Sequence, residues 1–490
     1  MPREPHPEEA LPISVNPYAW SRQRKTFVFI AGAIAVVNST LGSALPSGAV
    51  TFIAADFHIG SDLLLTLPIS LYLVGYILGP FAFGPLSETY GRRPVTLGTF
   101  AFYTIFTLAC ALSPTFSAFV VFRFFAGIFA SSPPAVTGGI YADIYSDPKA
   151  RGRAMAGYMA ATTLGPTIGP LMSGYLSVYG WRWTFWAALI IVGASWPFLL
   201  FLPGMSTELH SNKKNTTVEQ QVETFGPVLR RKYATTGPVD PVDAHVLSPA
   251  QLTWQHLFTK ILARPVKMLF TESIVLFSCL YLSLIYAIFY LFFEAYPIIF
   301  EGMYGLSPGE TGLMFLPIAV GALLSFVVYL GYDHVYQRAQ AQGKEWVKVE
   351  EYRRLPLACI GGPLFSGTIF WLAWTARPSI HWIVPSIAGL PFGVGFLLIF
   401  MALINYLADA YGIFAASALA AASGSRSILG ALLPLCTDSL YGRLGVHWAT
   451  SLLGFLSLLC ALIPFAFITF GHKLREYSKF SRALKGEQAK

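Results

Sequence analysis

A chain of 490 residues with 54% hydrophobic and only 12% charged side chains, at a mean hydropathy of +0.56, is too apolar for an ordinary soluble domain and reads as a polytopic membrane protein. The net charge of +8 does not point to nucleic acid, because the basic residues are not gathered on one soluble module; orientation in a bilayer explains it better. Cys110, Cys279, Cys359, Cys436 and Cys460 all fall inside apolar runs, where a small hydrophobe is the default reading and no disulfide is expected.

In chain order, residues 1–26 carry Pro2, Pro5, Pro7, Pro12 and Pro17 between charges, which predicts a disordered tail with no cleavable signal peptide. Windows of membrane-spanning length then predict twelve helices, over 27–50, 63–83, 95–113, 116–141, 152–178, 182–203, 270–298, 311–333, 355–375, 380–407, 412–437 and 448–471. The fold class is therefore all-α, with a six-helix bundle over 27–203, a polar linker over 204–269, a second six-helix bundle over 270–471 and a tail over 472–490. Asn212–Thr217 and Pro238, Pro241 and Pro249 give the linker a mobile composition, while Leu252 to Met268 has the pattern of an amphipathic helix on the membrane surface.

Charge placement fixes the expected orientation. Of the 33 Lys and Arg residues, 28 fall in the tails and in the loops on the same side, Arg123 and Arg426 lie within spans, and only Arg182, Arg377 and Arg443 face the other way. That asymmetry predicts both termini in the cytoplasm, with the plasma membrane the expected location. It also leaves the Asn215 triplet on the wrong side for glycosylation and the Asn38 triplet inside a span. The halves echo each other, since Tyr141-Ala-Asp-Ile-Tyr145 ends the fourth span and Leu407-Ala-Asp-Ala-Tyr411 ends the tenth. A duplicated six-span unit with a site between its copies is a transporter layout.

Two motifs carry recognisable chemistry. After the second span comes Gly84-Pro-Leu-Ser-Glu-Thr-Tyr-Gly-Arg-Arg93, in which Gly84 and Gly91 relax the backbone. Glu88 is placed there to pair with Arg92 or Arg93, and carbonyl ends of neighbouring helices offer the arginines further partners. The expected result is a latch on one conformation. On the fifth span Gly165, Gly169 and Gly174 recur at near-helical spacing with Pro166 and Pro170 between them, a pattern for close helix approach with a bend. These stretches, with Arg123-Phe-Phe-Ala-Gly127 and Tyr290-Leu-Phe-Phe-Glu-Ala-Tyr-Pro297, resemble the major facilitator superfamily, and within it the fungal twelve-span drug:proton antiporters; the likeness covers about 20–472. Glu88 stands where the wider superfamily usually has Asp, Thr89 where it often has a basic residue, and Ser273 where the fungal group commonly has Pro. The resemblance implies that Gly165-Pro166 and Gly169-Pro170 belong to an antiporter-type helix that seals a proton leak, and that the first, fourth, seventh and tenth helices line a central cavity.

Ionisable groups inside spans are costly unless paired or hydrated, which singles out Arg123, Glu294 and Arg426 as proton-coupling and gating candidates. Glu294 is the one acidic side chain placed well inside a span, its neighbours Phe292, Phe293 and Ala295 disfavour the charged form, and a pairing with Arg123 or Arg426 is expected to hold an outer gate shut. Phe289, Tyr290, Phe293, Tyr296 and Asn38 are the candidates for a substrate cavity. Asp143 and Asp409 read as helix ends at the cytoplasmic surface.

The expected function is proton-coupled efflux of amphipathic small molecules such as drugs, toxins or secondary metabolites, by a monomer in the bilayer whose partners are its substrate and protons. An importer or facilitator of a small solute and a non-transporting receptor are the alternatives. No phosphate-binding loop, cofactor site, metal set or catalytic constellation is found, so neither ATP-driven pumping nor an enzyme is expected.

Overall fold

The computed structural model describes residues 17–145, 147–203 and 263–477, and every regular element among them is helical. Residues 1–16, 204–262 and 478–490, with Asn215 and most of the expected linker, lie outside the described residues. The first half comprises α1 (Arg22–Ala44), α2 (Val50–Phe57), α3 (Asp62–Thr89), α4 (Arg92–Ala111), α5 (Phe116–Ala130), α6 (Ser132–Ile144), α7 (Pro148–Leu176) and α8 (Arg182–Leu200). The second comprises α9 (Ala263–Thr271), α10 (Ser273–Tyr296), α11 (Pro308–Leu313), α12 (Leu316–Ala341), α13 (Leu355–Thr375), α14 (Ile383–Ile387), α15 (Gly389–Tyr411), α16 (Ala415–Leu432), α17 (Thr437–Cys460) and α18 (Leu462–Tyr477).

Among the described residues, ten segments are long and apolar enough to cross a membrane. One of them, Ala415–Gly471, holds two passages, α16 and then α17 with α18; with the 29-residue α7, whose basic first turns and many Gly and Thr lower its hydropathy, the passages number twelve. The packing is inverted relative to a soluble protein. Arg123 is 2% exposed whereas Ile190 and Leu459 on the perimeter are 70% and 66% exposed, as a bilayer solvent requires.

Local sequence explains the breaks. The Ser21 hydroxyl caps α1 by accepting the Arg24 N–H at 3.3 Å, and α1 stops at Ala44 just before Pro46, which has no N–H to continue it. Ser307 and Glu310 form a capping box at α11, with Pro308 at its first position. In α17 Gly445 sits at φ 70°, a left-handed value that suits glycine, and it breaks Thr437–Leu444 off as a short helix ahead of the last passage. The end of the expected linker is also ordered: α9 begins at Ala263, with Met268 fully buried and Arg264 stacked 5.5 Å from the Phe414 ring.

The two ends of the bundle differ in how the halves meet. One end carries Arg92, Arg153 and Arg354 and is called the basic side below; the other carries Asp62 and Asp438. On this far side α7 fits tightly between the halves. A methyl group at Gly165 would lie 2.6 Å from the Leu41 nitrogen and one at Gly169 2.9 Å from the Ala44 Cβ, so these glycines seat α7 on α1. Further along α7, a methyl at Gly174 would lie 2.7 Å from the Pro308 carbonyl carbon, and one at Gly312 2.6 Å from the Leu171 Cα, so α7 meets α11 of the other half backbone to backbone. Toward the basic side α7 and α12 diverge around a cleft of about 560 Å³, lined by Phe29, Arg153, Gly157, Ala161, Leu323 and Phe326 among others. The halves thus meet backbone to backbone on the far side, whereas on the basic side they meet through side chains, with the Tyr329 hydroxyl 2.8 Å from where a methyl at Gly152 would lie.

Gly174→Val should force α7 from α11 and open the far side, whereas Gly193→Val, where no atom lies within 4 Å, should leave it closed. Thiol labelling of a cysteine introduced at the buried Ser47 reads this out, with several-fold faster labelling expected in the Gly174 variant only.

Candidate functional site

Arg123 of α5 is committed to a helix end. Its Nη1 donates to the Gly42 carbonyl at 2.7 Å, Nη2 to Ser43 at 3.1 Å and Nε to Pro68 at 2.9 Å, and the guanidinium lies 4.3 Å from the Tyr72 ring centroid. Gly42 and Ser43 are in the last turn of α1, where carbonyls lack intrahelical partners and carry the negative end of the helix dipole. The carbonyl of Gly42 would ordinarily accept the N–H of residue 46, and that residue is proline. Arg123 thus ties α1, α3 and α5 together. The expected Arg123–Glu294 pairing is not present: Arg123 faces α1 and α3 inside its own half, because depth along a helix does not set direction around it.

Glu294 lies near the far end of α10. Tyr286, Tyr290 and Glu294 follow one another at four-residue spacing and so share a stripe of that helix. Tyr290 crosses to the first half, where its hydroxyl meets Ser43 Oγ at 2.8 Å, and Tyr286 extends the chain at 3.4 Å from the Tyr290 hydroxyl. Glu294 Oε1 is enclosed and has no hydrogen-bond partner among the described residues. The charged groups that act on it are Asp438 and Asp62, both negative, so neither supplies the counter-charge expected from Arg123 or Arg426. The remaining aromatic candidates turn the other way. Phe289 packs 5.2 Å from Phe396 and 6.2 Å from Phe392, Phe293 lies 5.3 Å from Phe315 and Tyr296 4.5 Å from Phe315, all in the core of the second half. Asn38 also points within its own half, donating to Ser195 Oγ at 2.9 Å and to the Ile34 carbonyl at 2.8 Å.

Arg426 of α16 forms no ion pair among the described residues. Its Nη2 lies 3.3 Å from Ser423 Oγ, its Nε has no partner, and the guanidinium is 5.0 Å from the Phe400 ring and 5.5 Å from the Tyr286 ring. Tyr76 of α3 and Tyr158 of α7 are within its electrostatic reach. Tyr76, Tyr158, Tyr286 and Phe400 were not candidates from the sequence. Tyr286 alone carried a local signal, as the third member of the Glu294 stripe; the others lie on different helices.

On the basic side, Arg92 Nε meets Asp143 Oδ2 at 3.3 Å and Nη1 donates to Ser87 Oγ at 2.8 Å, with the guanidinium laid against Gly139. Arg93 Nη2 donates to the Leu200 carbonyl at 2.7 Å, at the carbonyl end of α8. Gly91 takes φ 96°, a left-handed value at the turn from α3 to α4, whereas Gly84 lies within α3. The side chain of Glu88 lies outside the described residues. The second half repeats the clasp: Arg354, just before α13, meets Asp409 of α15 at 2.9 Å. Across the halves on this side, Arg153 and Asp333 approach to 3.9 Å with Arg153 largely exposed, a weak contact.

Residues 29–434 match the Major Facilitator Superfamily. The chain is similar to the MFS-type efflux pump MFS2 of Trichophyton rubrum, at 37% identity over 95% of this chain and 76% of that one, and to the major facilitator superfamily multidrug transporter mdrA of Aspergillus fumigatus, at 38% over 95% and 74%. It is also similar to the efflux pump FUB11 of Gibberella moniliformis, at 36% over 94% and 75%. Among solved structures, the human organic anion transporter MFSD10 matches with a TM-score of 0.57 at 20% identity, over 94% of this chain and all of that one. The proton:xylose symporter XylE matches with a TM-score of 0.64 at 16% identity, over 92% and 97%. At such identities these two structures share a fold.

Asp143 lies just beyond the apolar segment that ends at Tyr141. Burial pushes its carboxyl above the ordinary range, and the charge and hydrogen bond of Arg92 pull it part of the way back. Between the ordinary and the raised value the folded protein holds more proton than the unfolded chain, so this group's contribution to stability falls as pH rises through that interval and then levels off. Arg92→Ala removes the counter-pull, extends the interval upward and costs about 3 kcal/mol at neutral pH, the scale for stripping one partner from a buried pair. Arg92→Ala combined with Asp143→Asn should recover most of that loss and flatten the pH dependence, as read by thermal unfolding in detergent from acidic to neutral buffer.

Proposed function

The chain belongs to the major facilitator superfamily, and from that premise we propose that it is a secondary active exporter that moves amphipathic small molecules outward against an inward proton flow, with Glu294 as the proton site. The observation that carries the coupling is the enclosed Glu294 Oε1 with no hydrogen-bond partner. A carboxyl at that depth is held more cheaply as the neutral acid than as an unpaired charge. The export direction draws support from relatives whose names describe efflux pumps. The basic side is then cytoplasmic by the distribution of Lys and Arg, and the protein works as a monomer in the plasma membrane.

The sign of the coupling is opposite to an ion-pair gate. Asp62 begins α3 in one half and Asp438 begins α17 in the other, and both act on Glu294. Charged, Glu294 of the second half repels Asp62 of the first and favours parting of the far ends; neutral, it lets them close. A proton taken from outside therefore closes the far side, as in the arrangement described above, and frees the basic side to open. Proton release into the cytoplasm and entry of substrate through the α7–α12 cleft reset the cycle, each event biasing one two-state element. The Arg92 and Arg354 clasps hold each half rigid on the cytoplasmic side, and the α7 glycines keep α1 and α7 moving as one body.

In proteoliposomes, Glu294→Gln, which mimics the neutral form, should bind substrate from the basic side as well as the native protein does but lose at least tenfold in uphill efflux under an imposed pH gradient. Undiminished gradient-driven accumulation removes Glu294 from the coupling. An epitope inserted at Asn215 should be reached by antibody only after cells are permeabilised; labelling of intact cells reverses the orientation.

A further inference from the structure

We propose that Arg426 is an anion-recognition residue and that the exported molecules are aromatic or otherwise apolar monoanions, carboxylates in the first instance. This deepens the transport reading above and rests on it. A guanidinium within a membrane-spanning helix is expensive unless a negative group or water compensates it, and Arg426 has neither an ion pair nor a hydrogen bond at Nε, with a single 3.3 Å contact to Ser423 Oγ. Its counterpart Arg123 shows what a structural arginine looks like in this chain: all three of its guanidinium nitrogens donate to carbonyls.

The surroundings of Arg426 supply few acceptors. The Tyr158 hydroxyl donates to the Pro134 carbonyl at 2.9 Å, the Tyr76 hydroxyl is bonded to Ser39, and the Tyr286 hydroxyl is linked to Tyr290. The Phe400 and Tyr286 rings stabilise the cation by their faces without satisfying its N–H groups. What remains is a planar donor fork, left largely unsatisfied, set among aromatic faces. That is the complement of a flat apolar molecule bearing a carboxylate, which accepts two parallel N–H bonds from a guanidinium. The rings against the fork come from α10 and α15, and α16 itself packs on α3 of the other half, with Gly430 facing Leu73 and Gly424 facing Phe81, so an anion held there lies at the seam between the halves.

The test uses three isosteric probes, 2-naphthoate, 2-naphthamide and 2-naphthylmethylammonium, with binding measured on the purified full chain by isothermal titration. The native protein is expected to bind the carboxylate at least tenfold more tightly than the amide and the ammonium. Arg426→Gln should abolish that preference while leaving amide affinity within twofold, and Arg426→Lys, which keeps the charge without the fork, should retain part of it. Equal affinities for the three probes in the native protein, no binding of the carboxylate, or an unchanged preference in a folded Arg426→Gln each overturn the proposal. If Arg426→Gln does not fold, Arg426→Lys decides alone, and full preference there overturns recognition by the fork. The titration needs no gradient, so failure of proton-driven efflux with the carboxylate preference intact would count against the exporter reading and not against this one.

Discussion

Hydrocarbon offers no hydrogen bonds, so each place where a membrane helix stops must be satisfied from within the protein, and the end of α1 is the place on which most of this structure depends. Pro46 removes an N–H that the last turn of α1 would otherwise use, and Arg123 fills the deficit by donating to Gly42 and Ser43. The same guanidinium reaches Pro68 on α3 and lies over Tyr72, so satisfying one helix end also sets the spacing of α1, α3 and α5. On the same turn the Ser43 hydroxyl, which donates to the Thr40 carbonyl at 2.6 Å, meets Tyr290 of the other half. The contact between halves is thus built on a helix terminus stabilised by a charge that never leaves its own bundle.

The repeat between halves is visible in these charges as well as in helix order. Arg92 opens the third passage and meets Asp143 at the end of the fourth; Arg354 precedes the ninth and meets Asp409 at the end of the tenth. The pairs are not energetically equal. Asp143 is 7% exposed and Asp409 41%, so the first clasp works in a drier setting, where losing one partner costs more.

Hydropathy made the passages legible, including the six-plus-six order, because it acts on runs of about twenty residues and averages out local noise. Direction around each helix was less legible. Depth, together with the cavity-lining helices that the resemblance implies, sets Arg123 and Glu294 in one cavity, yet Arg123 turns toward α1 and α3. The aromatic group near Glu294 divided by face: Tyr290 lies on the Glu294 stripe while Phe289, Phe293 and Tyr296 pack into the second half, a division that the four-residue spacing of 286, 290 and 294 already contained. The ring of residues about Arg426 had no comparable signal, since its members are far apart in sequence and adjacent only once the bundle forms. The short helix before Gly445 was hidden for another reason, namely that its polar residues sit inside a 57-residue segment whose overall hydropathy is high.

The backbone contact of Gly174 with Pro308 places a pivot near one extremity of a long rod. α7 has 29 residues, and at 1.5 Å per residue it extends about 43 Å, nearly all of it on one side of that contact. A rocking of about 10° around such a fulcrum is scarcely felt at the far side but displaces the opposite tip by roughly 7 Å, the width of an aromatic molecule. Mechanical advantage of this kind lets small changes in packing near Glu294 become large changes in aperture at the other face.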